Sequence, residues 1–162
     1  MKGRVLIVAG SDSGGGAGVQ ADIKTVTALG GFAATAITAL TAQNTQGVDA
    51  ILDVPADFVA RQMRAVLSDL GADSIKTGML GNGDVIEAVC QVLEKDAMGI
   101  PLVVDPVMVA KGGASLLDSA AVDILKSRLL PLAAVLTPNL PEAEALTGGT
   151  VRAVGDMEAA AA

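Results

Sequence analysis

Short unbroken apolar runs alternate along the chain with longer stretches in which apolar residues recur every three or four positions. "RVLIVA" at 4–9 is the first run and reads as a buried strand; 17–30 follows as a helix, with Val19, Ile23, Val26 and Leu29 at helical spacing. Residues 33–42, "AATAITALTA", form a second apolar run of small and β-branched side chains, and 48–54 a further short strand. "PADFVARQMRAVLSDLG" predicts a helix with Pro55 near its first turn and Gly71 just past its end. "DSIKTGML" reads as strand then loop, 83–95 as a helix and "IPLVVDPVM" as a strand. Residues 118–130 read as a helix, "AAVLTP" as a strand and "NLPEAEALTG" as a short helix.

Strands alternating with helices predict an α/β fold: a mostly parallel sheet with helices on both faces, in a single domain over 1–162. In such sheets ligands bind beyond the carboxyl ends of the strands, so the informative loops are 10–18, 43–47, 77–83, 105–115 and 137–142. The stretch "VGDMEAAAA" starts a helix, with Asp156 as an N-cap and Glu158 in the first turn. It reaches Ala162 without glycine, proline or a basic residue, so a chain cut short is expected, with a frayed terminal helix as the alternative.

Composition narrows the classes. Hydrophobic residues make up 51% and charged residues 18%, which is a packed globular composition. No apolar run approaches the length of a membrane helix, and the first is too brief for a secretion signal. One cysteine, Cys90, leaves no disulfide framework and suits the cytoplasm; between Val89 and Val92 on a helix it reads as a buried structural thiol. A net charge of −7 with scattered Lys and Arg argues against a nucleic-acid partner. There is no His, Trp or Tyr, which excludes histidine acid–base chemistry and histidine-held metals. With Phe32 and Phe58 the only aromatics, the core must be aliphatic with methionine filler.

The loops carry the chemistry. "GSDSGGGAG" at 10–18 is not a P-loop, since no Gly-Lys-Ser/Thr follows. Nor is it the dinucleotide fingerprint, since Gly18 falls one residue early after Gly14 and Gly16. Glycines before a helix still offer N–H groups suited to an anion or a polar ligand; a tight turn is the plainer account. Asp22 lies on or beside the sheet-facing side of its helix, and is either paired, facing a ligand, or placed there for the helix dipole. In "TAQNTQG", Gln43 and Asn44 are carboxamides able to read a heterocycle edge, or simply a polar turn. Asp105 closes a buried strand before Pro106, and Lys111 before two glycines is within reach of a phosphate. Asp105, Asn139 and Glu142 are hard oxygen donors suited to Mg2+ with phosphate and water; for Asn139 and Glu142 a helix cap is the alternative.

Together, "AGSDSGGGAGVQADIKT", "ITALTAQNTQGV", "KTGMLG", "VVDPVMVAKGG" and "LTPNLPEAEAL" resemble the hydroxymethylpyrimidine/phosphomethylpyrimidine kinases of thiamine biosynthesis, in the ribokinase-like superfamily. The resemblance is collinear over nearly all of 4–150; pyridoxal kinases share the later two elements. It implies ATP- and Mg2+-dependent phosphorylation of 4-amino-5-hydroxymethyl-2-methylpyrimidine and then of its monophosphate. By similarity Gln43 would hydrogen-bond the pyrimidine, Gly10, Asp22, Met79 and Val107 would line the acceptor pocket, and Lys111 would contact the acceptor's phosphate. Asp105 and Glu142 would orient Mg2+, and Asn139 the nucleotide phosphates. The resemblance also implies pairing as a homodimer.

That family carries, further along, a "GTGC"-type segment whose helix N-terminus holds the transferring phosphoryl group. No such segment occurs in these residues; Thr147-Gly148-Gly149-Thr150 comes too early and precedes no long helix. The expectation is therefore an incomplete kinase domain without its catalytic segment, nearly inactive alone. The alternatives are a kinase acting on pyridoxine or pyridoxal, and a non-catalytic pyrimidine-binding domain.

Overall fold

The computed structural model describes residues 2–108, 117 and 119–161. In chain order the elements are β1 (Arg4–Asp12), α1 (Gly18–Ala28), β2 (Phe32–Gln43), β3 (Val48–Asp53), α2 (Ala56–Asp69) and β4 (Ser74–Thr77). They continue as α3 (Gly83–Asp96), β5 (Leu102–Val104), α4 (Ser119–Ile124), β6 (Val135–Leu136), α5 (Leu140–Thr147) and α6 (Val154–Ala161). Among the described residues the strands form one sheet in the order β3-β2-β1-β4-β5-β6. Every neighbouring pair is parallel except β2–β3, a hairpin in which Ala39 to Gln43 face Asp53 back to Val48. The α/β fold with a mostly parallel sheet is as expected.

Alternation along the central strand sorts the two faces. Leu6 and Val8 point into the main core with Val59 and Met63 of α2, Ile86, Val89 and Cys90 of α3, and Leu125 and Leu129 beyond α4. Ile7 and Ala9 point the other way, onto Val19 of α1, with Val5, Val26 and Ala33 around them. The core is aliphatic: Met63 is fully buried, while Phe32 and Phe58 are exposed. The expected apolar stripe of α1 is only half covered. Val19 is buried, but Leu29 is 66% exposed and Ile23 sits at the surface, because α1 packs chiefly on β1 and β2 with its outer flank uncovered.

Strand lengths follow proline and pairing. β5 stops before Asp105-Pro106 and β6 before Thr137-Pro138, where proline removes a ladder donor. β1 runs on to Asp12, three residues past its apolar run, because β2 is long enough to pair with it throughout. The predicted helix over 118–130 is α-helical only through Ile124, widens into a π turn over Leu125–Leu129 and tightens over Leu130–Leu132. Pro131 has no N–H for the carbonyl four residues back, which accounts for the change of pitch. Asp156 is not the N-cap of α6. It sits inside the first turn and reaches back to accept from the N–H groups of Arg152 and Ala153, at 2.9 Å each.

Candidate active site

A cleft of about 480 Å3 opens at the carboxyl ends of β1, β2, β4 and β5. It gathers Gly10, Asp22, Gln43, Met79, Asp105 and Val107 from five separate loops or element ends. Those are all but three of the residues singled out in the sequence. Lys111 lies outside the described residues, and Asn139 and Glu142 stand apart, after β6.

The floor is shaped at Gly10. There the register slips between Ala9 and Ser11 against β2, a bulge that re-aims the end of β1. A Cβ on Gly10 would lie 2.5 Å from Met79 Cε, so only hydrogen lets the Met79 thioether lie over the strand. Gly18 opens α1 at φ +55°, and a Cβ there would meet the Gly10 carbonyl and the Asp12 amide. The two glycines thus let α1 begin directly against the end of β1.

The glycine loop is not an open anion cradle. The Asp12 carboxylate, 6% exposed, accepts from the N–H groups of Gly14 (2.7 Å), Gly16 (2.9 Å) and Ala17 (2.8 Å). Its main-chain carbonyl accepts from Gly15 N–H at 3.0 Å. The loop's main-chain donors are therefore satisfied from within the chain. Burial pushes the Asp12 carboxyl up, but the N–H bonds from Gly14, Ala17, Gly16 and Gly15 together outweigh it and hold it below the ordinary aspartate value.

Asp22 is paired and faces the cleft. It lies beyond the first turn of α1, which contains no acid, so the dipole account of it falls. Its Oδ2 accepts from Lys76 Nζ at 2.8 Å, and the same ammonium lies 3.3 Å from Asp105 Oδ2. All three side chains are between a fifth and a third exposed. Lys76 thus stands between the acid on the α1 side and the acid at the end of β5, leaving this trio with one net negative charge.

Gln43 is fixed through both backbone and side chain. Ser13 Oγ donates to its carbonyl at 2.7 Å and accepts from its N–H at 2.8 Å. Thr41 Oγ1 lies 3.2 Å from Gln43 Oε1 and also donates to the Ser11 carbonyl at 3.0 Å. Among the described residues the Gln43 amide nitrogen donates to nothing, so it is available to a ligand acceptor. Asn44 differs: its Oδ1 accepts from the N–H groups of Gln46 and Gly47, which makes it the side chain that closes the hairpin turn.

Asn139 and Glu142 form a reciprocal capping box at the start of α5. Asn139 Oδ1 accepts from Glu142 N–H and Glu142 Oε2 from Asn139 N–H, each at 2.9 Å. Among the described residues no three acids, cysteines or histidines cluster as a metal cage. Asp105 Oδ1 and Glu142 Oε1 have no partner among those residues. Each is a hard oxygen donor of the kind that Mg2+ takes together with water and phosphate oxygen.

Asp12, Ser13, Thr41 and Lys76 were not among the residues singled out. Asp12 had a local signal, an acid two residues before the first loop glycine, where its carboxylate can fold back onto successive N–H groups. Lys76 had only its place as a basic residue at a strand end before two glycines; its partners are 54 and 29 positions away.

The residues from 12 to 162 match the model of the family described as phosphomethylpyrimidine kinase. A hydroxymethylpyrimidine/phosphomethylpyrimidine kinase of Haemophilus influenzae is 56% identical over 145 residues, 90% of this chain and 54% of that protein. The crystal structure of a phosphomethylpyrimidine kinase from Clostridium difficile 630 superposes with a TM-score of 0.89 at 43% identity, covering 97% of this chain and 68% of that one. A Staphylococcus aureus pyridoxal kinase in complex with AMP-PCP and pyridoxal gives 0.83 at 38%, covering 98% and 56%. The chain spans about half the length of curated relatives such as these. With that identity and shared architecture, the chain belongs to the phosphomethylpyrimidine kinase family.

Proposed function

We propose that the cleft binds 4-amino-5-hydroxymethyl-2-methylpyrimidine and its monophosphate as phosphoryl acceptors, with MgATP as donor. The observation that carries this is the convergence of Gly10, Asp22, Gln43, Met79 and Val107 on one cleft at the strand ends. The Gln43 amide, its backbone held by Ser13, donates to a ring nitrogen. Met79 and Val107 supply apolar walls for the ring faces, and Gly10 lets the Met79 wall lie close over the strand. Asp22, steadied by Lys76, accepts from the exocyclic amine. Asp105 and Glu142 would hold Mg2+, with Asn139 toward the nucleotide phosphates and Lys111 toward the acceptor phosphate. When bound, the metal neutralises phosphate charge, so what the chain contributes is positioning of the acceptor hydroxyl. The 162 residues act as one domain and turn the acceptor over slowly or not at all by themselves. The chain is a cytoplasmic enzyme component; among the described residues no helix is long and apolar enough to cross a membrane.

Two further readings have support. The likeness to a pyridoxal kinase makes pyridoxal a rival acceptor. The β2–β3 hairpin exposes Leu40, Ile51 and Leu52 along an edge, and a second copy of the chain would cover them as a homodimer. Calorimetric titration with the aminopyrimidine alcohol, followed by competition with pyridoxal, tests the acceptor. Saturable binding that Gln43→Ala weakens supports the reading, and tighter binding of pyridoxal would replace it. Turnover with MgATP at the rate of a full-length relative would overturn the low activity expected of the chain alone. Absence of turnover with intact binding also fits a pyrimidine-binding domain, which a longer chain restoring turnover would exclude. Sedimentation velocity reports the dimer.

A further inference from the structure

The four consecutive N–H groups of residues 14–17, at the head of α1, all bond to Asp12. A run of main-chain donors converging ahead of a helix is the arrangement that elsewhere cradles phosphate. Here it is filled by a nearly buried carboxylate of the same chain. Four more bonds carry that closure outward. Asp12 N–H donates to Gln20 Oε1 at 2.8 Å, and Gln20 Nε2 donates to Ser11 Oγ at 2.7 Å, which locks the loop onto α1. Ser13, the residue turned outward where the loop wraps Asp12, grips the backbone of Gln43.

We infer that Asp12 is a positioning residue for acceptor recognition. Its carboxylate occupies the anion nest at the head of α1, closes that nest to phosphate, and through Ser13 sets where Gln43 presents its amide. The acceptor part of this inference rests on the proposed function; the closing of the nest does not. Phosphate therefore finds no donors at this loop, although the loop precedes a helix and is rich in glycine. An uncharged heterocycle is read instead, by a side chain across the cleft. Removing the carboxylate frees three N–H groups and unfastens Ser13. The loop then gains an anion site and loses its grip on the acceptor.

The test uses the 162-residue chain, with Asp12→Ala and the nearly isosteric Asp12→Asn, titrated separately with the aminopyrimidine alcohol and with inorganic phosphate. The wild-type chain is expected to show no amide shifts at Gly14, Gly16 and Ala17 in NMR spectra with millimolar phosphate. Asp12→Ala is expected to bind phosphate at this loop and to lose about tenfold in acceptor affinity, or about 1.4 kcal/mol. Millimolar formate, small enough to replace the lost carboxylate, should restore most of that affinity and compete with phosphate. Asp12→Asn keeps the shape but turns an NH2 toward the N–H donors, and should lose acceptor affinity without gaining phosphate. A folded Asp12→Ala chain with acceptor affinity within about twofold of wild type overturns the inference. So does a loss that formate leaves untouched in a chain that also ignores phosphate, since a merely structural role would behave that way. Saturable phosphate shifts in the wild type overturn it as well, and need no variant to fold. If the wild type fails to bind the aminopyrimidine, the proposed function falls, and the phosphate and formate titrations still decide the nest.

Discussion

Replacing Gly10 with alanine separates stability from recognition. The added Cβ would sit 2.5 Å from Met79 Cε, 3.7 Å from its sulfur and 3.8 Å from the Ala39 carbonyl oxygen. The last two are ordinary contacts, so the whole conflict is with one terminal methyl. Restoring a normal carbon–carbon separation moves that methyl by about 1 Å. The thioether is flexible, and the cleft is where it has room to go. The fold should therefore lose only about 1 kcal/mol, the low end for an added methyl in a packed site, and Tm should fall by about 2–4 °C. Acceptor binding should suffer more, by about tenfold, because the displaced methyl takes space meant for the ring. Thermal denaturation and calorimetric titration measure the two separately. The Met79→Ala background supplies the control: with no methyl to displace, adding Gly10→Ala should change acceptor affinity hardly at all. Equal losses in both backgrounds, or unchanged affinity in the folded single variant, would refute the reasoning.

Four other outcomes follow from the same structure. Lys76→Met leaves Asp22 and Asp105 without their shared cation; between the exposed and buried cases this costs about 1–3 kcal/mol by urea denaturation, and Lys76→Arg should recover part of it. Asn139→Ala breaks the capping box at α5 and should cost about 1 kcal/mol, whereas Asn139→Asp keeps a capping oxygen and most of the stability. Burial pushes the Cys90 thiol up to about 11, so at pH 8 a thiol reagent should label the native chain only as fast as it unfolds, and rapid stoichiometric labelling would contradict this. The side-chain hydrogen bond from Arg4 lowers the Asp73 carboxyl to about 2, below its unfolded value. The stability this gives is present above about pH 4 and is lost as the pH falls toward 2, so Arg4→Met should show a shallower acid decline in denaturation midpoints.

Periodicity along contiguous residues was enough to place the helices at 56–69 and 83–96, the buried strands, and the aliphatic core around Met63. Four of the five loops named at strand ends meet in one cleft, because a parallel sheet sends its carboxyl ends to one edge. Other features stayed open for local reasons. Asn139 and Glu142 carry the same residue types for a cap as for a metal, and their mutual bonds were visible only in three dimensions. The outer flank of α1 has the same apolar spacing whether or not a neighbour covers it.

Secondary structure, fold class and the choice of polar residue types are written in runs of a few residues, because helix and strand periods and turn chemistry act over that range. Partnership is not. Lys76 meets Asp22 and Asp105 because β4 lies between β1 and β5 in the sheet, a strand order that no local pattern encodes. The glycine loop shows the division most sharply. Its composition marked it as a place where backbone donors converge, but whether they face a ligand or Asp12 depended on how β1 runs past its bulge into α1.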